Sequence, residues 1–306
     1  MLKLLNKIIP IKIKEYLIPF YFFLISRIKS DNKIIYMYLK LYNINNLQKK
    51  IKIKLFNHSF FIPKTIRNAY IIMRTEQEEE EIELLHKKFL EPSTYIDVGS
   101  NIGYWTFARN HVLKGSIKFF CFEPSKFNFK YLKLNLYKLK NVRLINSGLS
   151  NKSEAGTLSF PYWEKKRFSK SQNTGLLSLY GDSNILSENV ELITLDNYFR
   201  NQDFNKGIFI KIDAEGHEYK ILQGSKKFLS RDLNITVQLE INAKNEIAIN
   251  NDNSNMSIKL LKELGYLPIT LINSKFKILS DDEIKKIIIN KTETSLELYF
   301  TNKKFI

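Results

Sequence analysis

The sequence has little cysteine, glycine and proline, and its apolar runs are short. One cysteine, Cys121, excludes intrachain disulfide bonds and zinc sites built from several cysteines, and its apolar surroundings favour core packing. With 11 glycines and 7 prolines, a collagen-like or linker-rich chain is excluded. What is present is a 44% apolar fraction over 306 residues, which predicts one large domain with an appendage, or two domains.

The positive charge is concentrated near the N-terminus. The formal net charge is +17, yet residues 1–56 carry 12 basic and 2 acidic side chains, so the other 250 residues share only +7. The uncharged stretch from Tyr16 to Ser26, interrupted by Pro19, is about half as long as a helix that crosses the ~30 Å hydrocarbon layer. We therefore expect a cytoplasmic protein without a spanning helix. Two interpretations of residues 1–56 stay open: peripheral contact with an anionic membrane, and a helical extension packed on the main domain.

Three regions follow from the patterns along the chain. Residues 1–49 form a basic, helical N-terminal extension. Residues 50–75 form a β-hairpin, because lysine and apolar residues alternate up to Phe56 and a turn at Asn57 precedes a second short strand. Residues 76–306 form the main domain, which begins with a helix near 82–89.

From residue 94 the chain alternates strands with helices. This alternation predicts an α/β fold with a doubly wound, mostly parallel, seven-stranded sheet. Residues 157–190, rich in Ser, Tyr, Phe and Lys, are expected to form a substrate-facing loop. The strands are expected near 94–98, 117–122, 142–145, 207–212, 235–241, 267–272 and 295–301.

The first loop after a strand is glycine-rich and contains an acid. Asp97 ends the strand, and Gly99, Asn101 and Gly103 follow. The dinucleotide fingerprint G-x-G-x-x-G is absent, so a pyrophosphate is not the expected ligand. The spacing suits a cofactor with a cationic amine and a sulfonium.

An acidic residue also follows the second strand. Glu123 lies twenty residues beyond Gly103, at the position where a carboxylate binds both hydroxyls of a ribose. A surface glutamate that opens a helix is the alternative, but the glycine loop at this separation favours ribose binding.

The fourth strand ends in a cluster of ionisable groups. Asp213, Glu215 and His217 occupy a strand-to-helix junction, where a helix cap would need only one of them. Burial of several ionisable groups is costly, so the cluster indicates a functional site.

These motifs together resemble the FkbM family of S-adenosylmethionine-dependent methyltransferases. The resemblance covers about residues 50–241 and implies a Rossmann-like class I methyltransferase fold for residues 76–306. It implies S-adenosylmethionine as cofactor, held by Asp97, Gly99, Asn101, Gly103, Glu123, Ser147 and Asp213. It also implies that Asp213, Glu215 and His217 face the methyl-transfer centre. The matching segments are YIDVGSNIGYWT at 95–106, FCFEPS at 120–125, NSGLS at 146–150, ITLDNYF at 193–199 and IKIDAEGHEYKILQG at 210–224.

The sequence leaves open which residue is the general base and whether the site binds a metal ion. Imidazole titrates near neutral pH, so His217 is the expected base, and a structural histidine is the alternative. A second alternative is a Mg²⁺ ion held by the oxygen ligands Asp213, Glu240 and Asn242.

Three functions are compatible with the sequence. Family members typically methylate hydroxyl groups of sugars or small molecules, and this is the expected activity. An RNA methyltransferase is the first alternative because of the net charge, although that charge lies away from the predicted cofactor strands. A non-enzymatic membrane-surface module that keeps the fold is the second.

Overall fold

The computed structural model describes most of the predicted main domain. The described residues are 50–55, 58–63, 81–89, 91–113, 117–160, 182–204, 207–241, 253–272, 275–290 and 296–302, so the N-terminal extension predicted at 1–49 lies outside them. The chain divides into two compact units, one of residues 1–79 with 167–173 and one of residues 80–166 with 174–306.

The first unit contains the predicted hairpin. Strands β1 (Lys50–Leu55) and β2 (His58–Pro63) pair antiparallel, with Lys50 opposite Pro63 and Leu55 opposite His58. In this hairpin the side chains of Leu55, Phe60 and Ile62 are buried.

The second unit is built on an eight-stranded sheet. The chain order of its elements is α1 (residues 81–88), β3 (Thr94–Val98), α2 (Tyr104–Val112), β4 (Lys118–Phe122), α3 (Lys126–Leu136), β5 (Val142–Ile145), β6 (Gly148–Leu149), β7 (Glu154–Phe160), β8 (Asp182–Ile193), α4 (Leu195–Tyr198), β9 (Ile208–Ile212), α5 (Glu218–Gln223), α6 (Lys226–Leu229), β10 (Ile235–Ile241), α7 (Asn253–Glu263), β11 (Tyr266–Ile272), β12 (Lys275–Ile278), α8 (Asp281–Asn290) and β13 (Leu296–Asn302). Among these described elements, no helix is long and apolar enough to span a bilayer.

The strand order confirms the predicted Rossmann-like class. Across the sheet the order is β12-β11-β13-β10-β9-β3-β4-β5, and β5, β4, β3, β9 and β10 are parallel neighbours. Strand β13 inserts antiparallel between β10 and β11. The order reverses between β3 and β9, which is the switch point where open α/β sheets bind their ligands.

Two parts of the architecture differ from the sequence prediction. The sheet has eight described strands rather than seven, because β12 pairs with β11 and extends the edge. The region expected as a substrate loop contributes its ends to a second sheet of order β6-β8-β7, while residues 161–181 lie outside the described chain. The β11–β12 pair is a local hairpin, in which Ile272 lies opposite Lys275, whereas the small sheet arises from long-range pairing that local periodicity does not report.

The core lies against both faces of the central strands. Strands β9 and β10 are almost continuously buried, and the side chains of Ile208, Ile210 and Val237 are fully buried. An edge-to-face cluster that includes Phe120, Phe122 and Phe199 packs beside them. These rigid strands carry the loops of the candidate site at their carboxyl ends.

Candidate cofactor and active site

The loop between β3 and α2 is folded by residues with positive φ angles. Gly99, Asn101 and Gly103 have φ of 78°, 51° and 88°. The backbone N–H groups of Gly99 and Ser100 both donate to the Phe122 carbonyl at 3.0 Å, which fixes the loop to the end of β4. A Cβ atom on Gly99 would lie 1.9 Å from the Asp213 carbonyl oxygen, so only glycine fits there.

Asp97 is fully buried at the start of this loop. Thr106 donates a hydrogen bond of 2.8 Å to its Oδ2, whereas Oδ1 accepts no hydrogen bond from the described residues. The Lys211 Nζ atom lies 4.0 Å from Oδ1. Burial raises the pKa of Asp97, and the nearby Lys211 ammonium opposes this increase.

Glu123 is tied directly to the glycine loop. Its Oε2 accepts a 2.7 Å hydrogen bond from the Asn101 N–H, and its Oε1 accepts one of 2.9 Å from the Ser125 N–H. The Asn146 side-chain amide donates hydrogen bonds to the Glu123 and Pro124 carbonyls and so stabilises the turn that follows β4. Burial raises the pKa of Glu123 to about 7 despite these donors.

These residues fit the cofactor that the sequence predicts. Besides Asp97 Oδ1, the Asn101 Oδ1 atom is buried and accepts no hydrogen bond from the described residues. Two such acceptors beside one loop suit the ammonium group of an amino acid, which has three donors. The Glu123 carboxylate lies one strand away, and its remaining lone pairs suit ribose hydroxyls.

Ser147 lies beyond the third parallel strand and is held by the small sheet. Its hydroxyl donates to Glu191 Oε2 of β8 at 3.1 Å. In the same strand, Glu188 accepts hydrogen bonds from the Ser125 hydroxyl and from the Lys126 N–H at the start of α3. Neither glutamate was predicted from the sequence, because only the pairing of β6 with β8 brings them here.

Asp213 lies at the end of β9 and contacts a lysine and a second carboxyl group. The Lys211 Nζ atom is 2.9 Å from Asp213 Oδ2. Glu240, at the end of β10, hydrogen-bonds the Asp213 carboxyl group, and burial together with the Asp213 charge raises the pKa of Glu240. The Asp213 side chain is 31% exposed, so its carboxylate remains accessible to a ligand.

The loop after Asp213 is held by Glu218. Its Oε1 accepts hydrogen bonds from the backbone N–H groups of Ala214 at 2.9 Å and Gly216 at 3.2 Å. Glu215 has a φ of 49° and contributes negative charge near Glu240. Glu218 is buried at the first position of α5, and its carboxylate holds this turn in place. Its position in the first turn of a helix is a sequence signal from which this role could have been predicted.

His217 has the surroundings of a structural histidine. It is buried, and its Nε2 atom lies 3.0 Å from the Ser150 hydroxyl oxygen. Burial, with the charge of Lys220, lowers the pKa of His217 to about 4. The role of His217 as general base stays a prediction.

The described residues give no support to the Mg²⁺ alternative. Within the described part of the chain, no group of three or more His, Cys, Asp or Glu side chains could hold a metal ion. Asp213 and Glu240 lie together, but Asn242 is outside the described residues.

Comparison with known proteins decides the family. A model of the FkbM methyltransferase domain matches residues 97–268, more than half of the chain and all the loops described above. The chain belongs to the FkbM methyltransferase family. No curated protein matches this FkbM-family sequence.

Solved structures similar to this FkbM-family protein are distant. An FkbM methyltransferase from Methylobacillus flagellatus KT is 14% identical with a TM-score of 0.39, over 68% of this chain and 43% of that one. An S-adenosylmethionine-dependent O-methyltransferase from Thermotoga maritima is 9% identical with a TM-score of 0.38, over 86% and 96% of the two chains. Fibrillarin from Aeropyrum pernix, with bound S-adenosylmethionine, is 8% identical with a TM-score of 0.36, over 69% and 66%. The chain spans less than half the length of the first of these proteins.

Proposed function

We propose that this protein is an S-adenosylmethionine-dependent O-methyltransferase that acts on a hydroxyl group of a sugar, glycan or other small molecule. The observation that carries the proposal is the buried Asp97, whose Oδ1 atom accepts no hydrogen bond from the described residues, beside the glycine loop and with Glu123 at the end of the neighbouring strand. Membership of the FkbM family supports the methyl-transfer chemistry.

The residues divide into two groups by the part of the reaction they serve. When bound, the cofactor supplies a methyl group already activated by a sulfonium. The loop from Gly99 to Gly103 would orient it, with Asp97 accepting from its ammonium group and Glu123 accepting from its ribose hydroxyls. The Asp213 side chain is partly exposed, and its carboxylate would take the proton that leaves the acceptor hydroxyl.

Cofactor binding is the first test. Titration calorimetry with S-adenosylhomocysteine should give saturable binding, and Glu123→Gln should weaken it by about tenfold or more, because an amide is a poorer partner than a carboxylate for two hydroxyls. The exposed Glu263→Gln removes the same charge from α7 and should leave the affinity unchanged. A folded wild-type protein that shows neither heat nor thermal shift would contradict the proposal and favour the non-enzymatic module.

The acceptor class is tested by methyl transfer. The protein is incubated with methyl-labelled S-adenosylmethionine and, separately, sugar glycosides, bacterial surface glycan or RNA. An O-methyl ether on a sugar survives mild alkali, whereas a methyl ester does not, so alkali-stable label in a glycan supports the proposal. Label confined to RNA would replace it with the RNA alternative.

We also propose peripheral contact of residues 1–56 with an anionic membrane surface at the cytoplasmic face. The support is their net charge of +10 and their apolar content. Co-sedimentation with vesicles containing phosphatidylglycerol, compared with neutral phosphatidylcholine vesicles, tests it. Equal sedimentation with both, or with neither, would contradict the electrostatic contact.

A further inference from the structure

Lys211 is an uncommon lysine because its charge lies inside the sheet. It is the fourth of the five residues of β9 and pairs in register with Asp97 of β3 on one side and Gln238 of β10 on the other. Its side chain is only 12% exposed, so the ammonium group is confined rather than free in solvent. No role was predicted for this residue from the sequence.

The ammonium group of Lys211 lies at different distances from two carboxylates. It hydrogen-bonds Asp213 Oδ2 at 2.9 Å, but it lies 4.0 Å from Asp97 Oδ1, which is beyond hydrogen-bonding distance. Electrostatic attraction persists at 4 Å in a buried site, so Lys211 offsets the Asp97 charge without occupying its Oδ1 acceptor.

Arg109, the other cation that influences Asp97, has a different main contact. Its guanidinium lies 3.8 Å above the centre of the Trp105 ring. Among the described residues, Lys211 is the one cation within ion-pair distance of the Asp97 carboxylate. Without it, Asp97 would be a buried carboxylate with no close counter-ion, a costly arrangement.

We propose that Lys211 is a positioning residue for the cofactor: bound to Asp213, it offsets the charge of Asp97 from 4.0 Å and leaves Asp97 Oδ1 open to the ammonium group of the cofactor. The inference rests on the proposed function, because it concerns how the same site accepts S-adenosylmethionine.

A dependence on pH follows from the surroundings of Asp97. Burial raises the pKa of Asp97 and Lys211 is the largest opposing influence, so removal of Lys211 favours the protonated acid. A protonated Asp97 is a poor acceptor for an ammonium group. The groups that face Asp97 from the packed elements are Thr106 and Arg109 of α2, Cys121 of β4, Glu123 beyond β4, and Lys211 and Asp213 of β9.

The test measures the dissociation constant of S-adenosylhomocysteine by calorimetry for the wild type and for variants, from pH 6 to 8. Lys211→Met should weaken binding by about tenfold or more at pH 7. The ratio of variant to wild-type dissociation constants should fall as the pH rises, since Asp97 regains its charge; the ratio cancels the titration of Glu123 and of the ligand. Lys211→Arg should restore binding to within about threefold, because it restores the buried charge.

Two comparisons separate positioning from a merely structural role. Lys226→Met removes an exposed lysine of α6 and should leave the dissociation constant unchanged. Asp97→Asn should weaken binding, and adding Lys211→Met to it should change the affinity by less than about twofold, since Lys211 would act through Asp97. Circular dichroism and cooperative urea unfolding check that each variant is folded. If Lys211→Met does not fold, Lys211→Arg and the Asp97→Asn pair of variants provide the comparison.

The outcomes are distinct. A pH-dependent loss of affinity that vanishes in the Asp97→Asn background supports the inference. If the wild type binds S-adenosylhomocysteine, three results would overturn the inference but not the proposed function. These are an unchanged affinity in Lys211→Met, a ratio of variant to wild-type dissociation constants that does not depend on pH, and additive effects of Lys211→Met and Asp97→Asn. No binding by the folded wild type would overturn the proposed function and the inference with it.

Discussion

Gly99→Ala is expected to destabilise this protein severely, because two loops meet at that residue. The new Cβ atom would lie 1.9 Å from the Asp213 carbonyl oxygen, where contacts under 3.0 Å essentially do not occur. The ends of β3 and β9 would therefore have to separate by about 1 Å, since the obstacle is backbone and has no rotamer to change. The Asp213 N–H bond to the Val98 carbonyl, now 3.1 Å, would be stretched by the same movement.

Three costs contribute to the magnitude. A non-glycine residue at positive φ costs about 1–2 kcal/mol, overpacking about 1–3 kcal/mol, and the weakened backbone hydrogen bond about 0.5–1.5 kcal/mol. We expect a total loss of about 3–6 kcal/mol, which is a large part of the 5–15 kcal/mol that is typical of folded proteins.

Gly265→Ala is the matched control. Gly265 has a similar φ of 85°, but a Cβ atom there would meet nothing within 4 Å. It should cost only the ~1–2 kcal/mol of backbone strain. Urea unfolding at 25 °C measures both free energies. Losses for the two variants within 1 kcal/mol of each other would refute the close approach of the β3 and β9 loops.

Three further predictions concern buried polar groups. The pKa of His217 is lowered from 6.5 to about 4, so as the pH falls the unfolded chain binds a proton at this residue before the folded protein does, and the free energy of unfolding declines between these two pH values. His217→Gln should reduce that decline by on the order of 3 kcal/mol, as measured by urea unfolding at several pH values. An unchanged pH profile would contradict the burial of the imidazole. For Glu123 the sign is opposite: its pKa is raised from 4.5 to about 7, so stability is lost as the pH rises through this window. Glu123→Gln should remove this loss, which is on the order of 3 kcal/mol, and urea unfolding from pH 4 to 8 measures it; a variant that keeps the wild-type profile would contradict the burial of the carboxyl group. Thr106→Val removes the 2.8 Å hydrogen bond to Asp97 Oδ2 and should cost about 1–3 kcal/mol, whereas a neutral effect would show that Asp97 does not need this donor.

The sequence predicted the alternating part of the fold well. The strand at 94–98 and the glycine loop after it were recognisable because a short apolar run, glycines and a following helix are all local features. The small sheet was missed because β8 pairs with β6 and β7 across residues that local patterns do not connect. Strand β12 was also missed; it is only four residues long and forms a hairpin with β11.

The sequence predicted which residue types form the candidate site, but it predicted few of the contacts between them. Asp97 and Glu123 follow neighbouring parallel strands, so their proximity could be inferred, and the hydrogen bond from Asn101 to Glu123 is consistent with it. His217 was expected to act as a base from its residue type. Its environment is set by Ser150, which is distant in the chain, so sequence alone could not show the burial.

By itself, the sequence determined the family, the succession of strands and helices, and the chemical groups at the strand ends, because motif spacing and periodicity are properties of contiguous residues. The tertiary structure decided which of those groups carry charge and which are accessible. Nothing in the sequence distinguishes Lys211 from other lysines in strands. Its ammonium group is confined between Asp97 and Asp213 only because β3, β9 and β10 lie side by side. Burial and the distances between charges belong to the packed sheet, and they determine the protonation of the site.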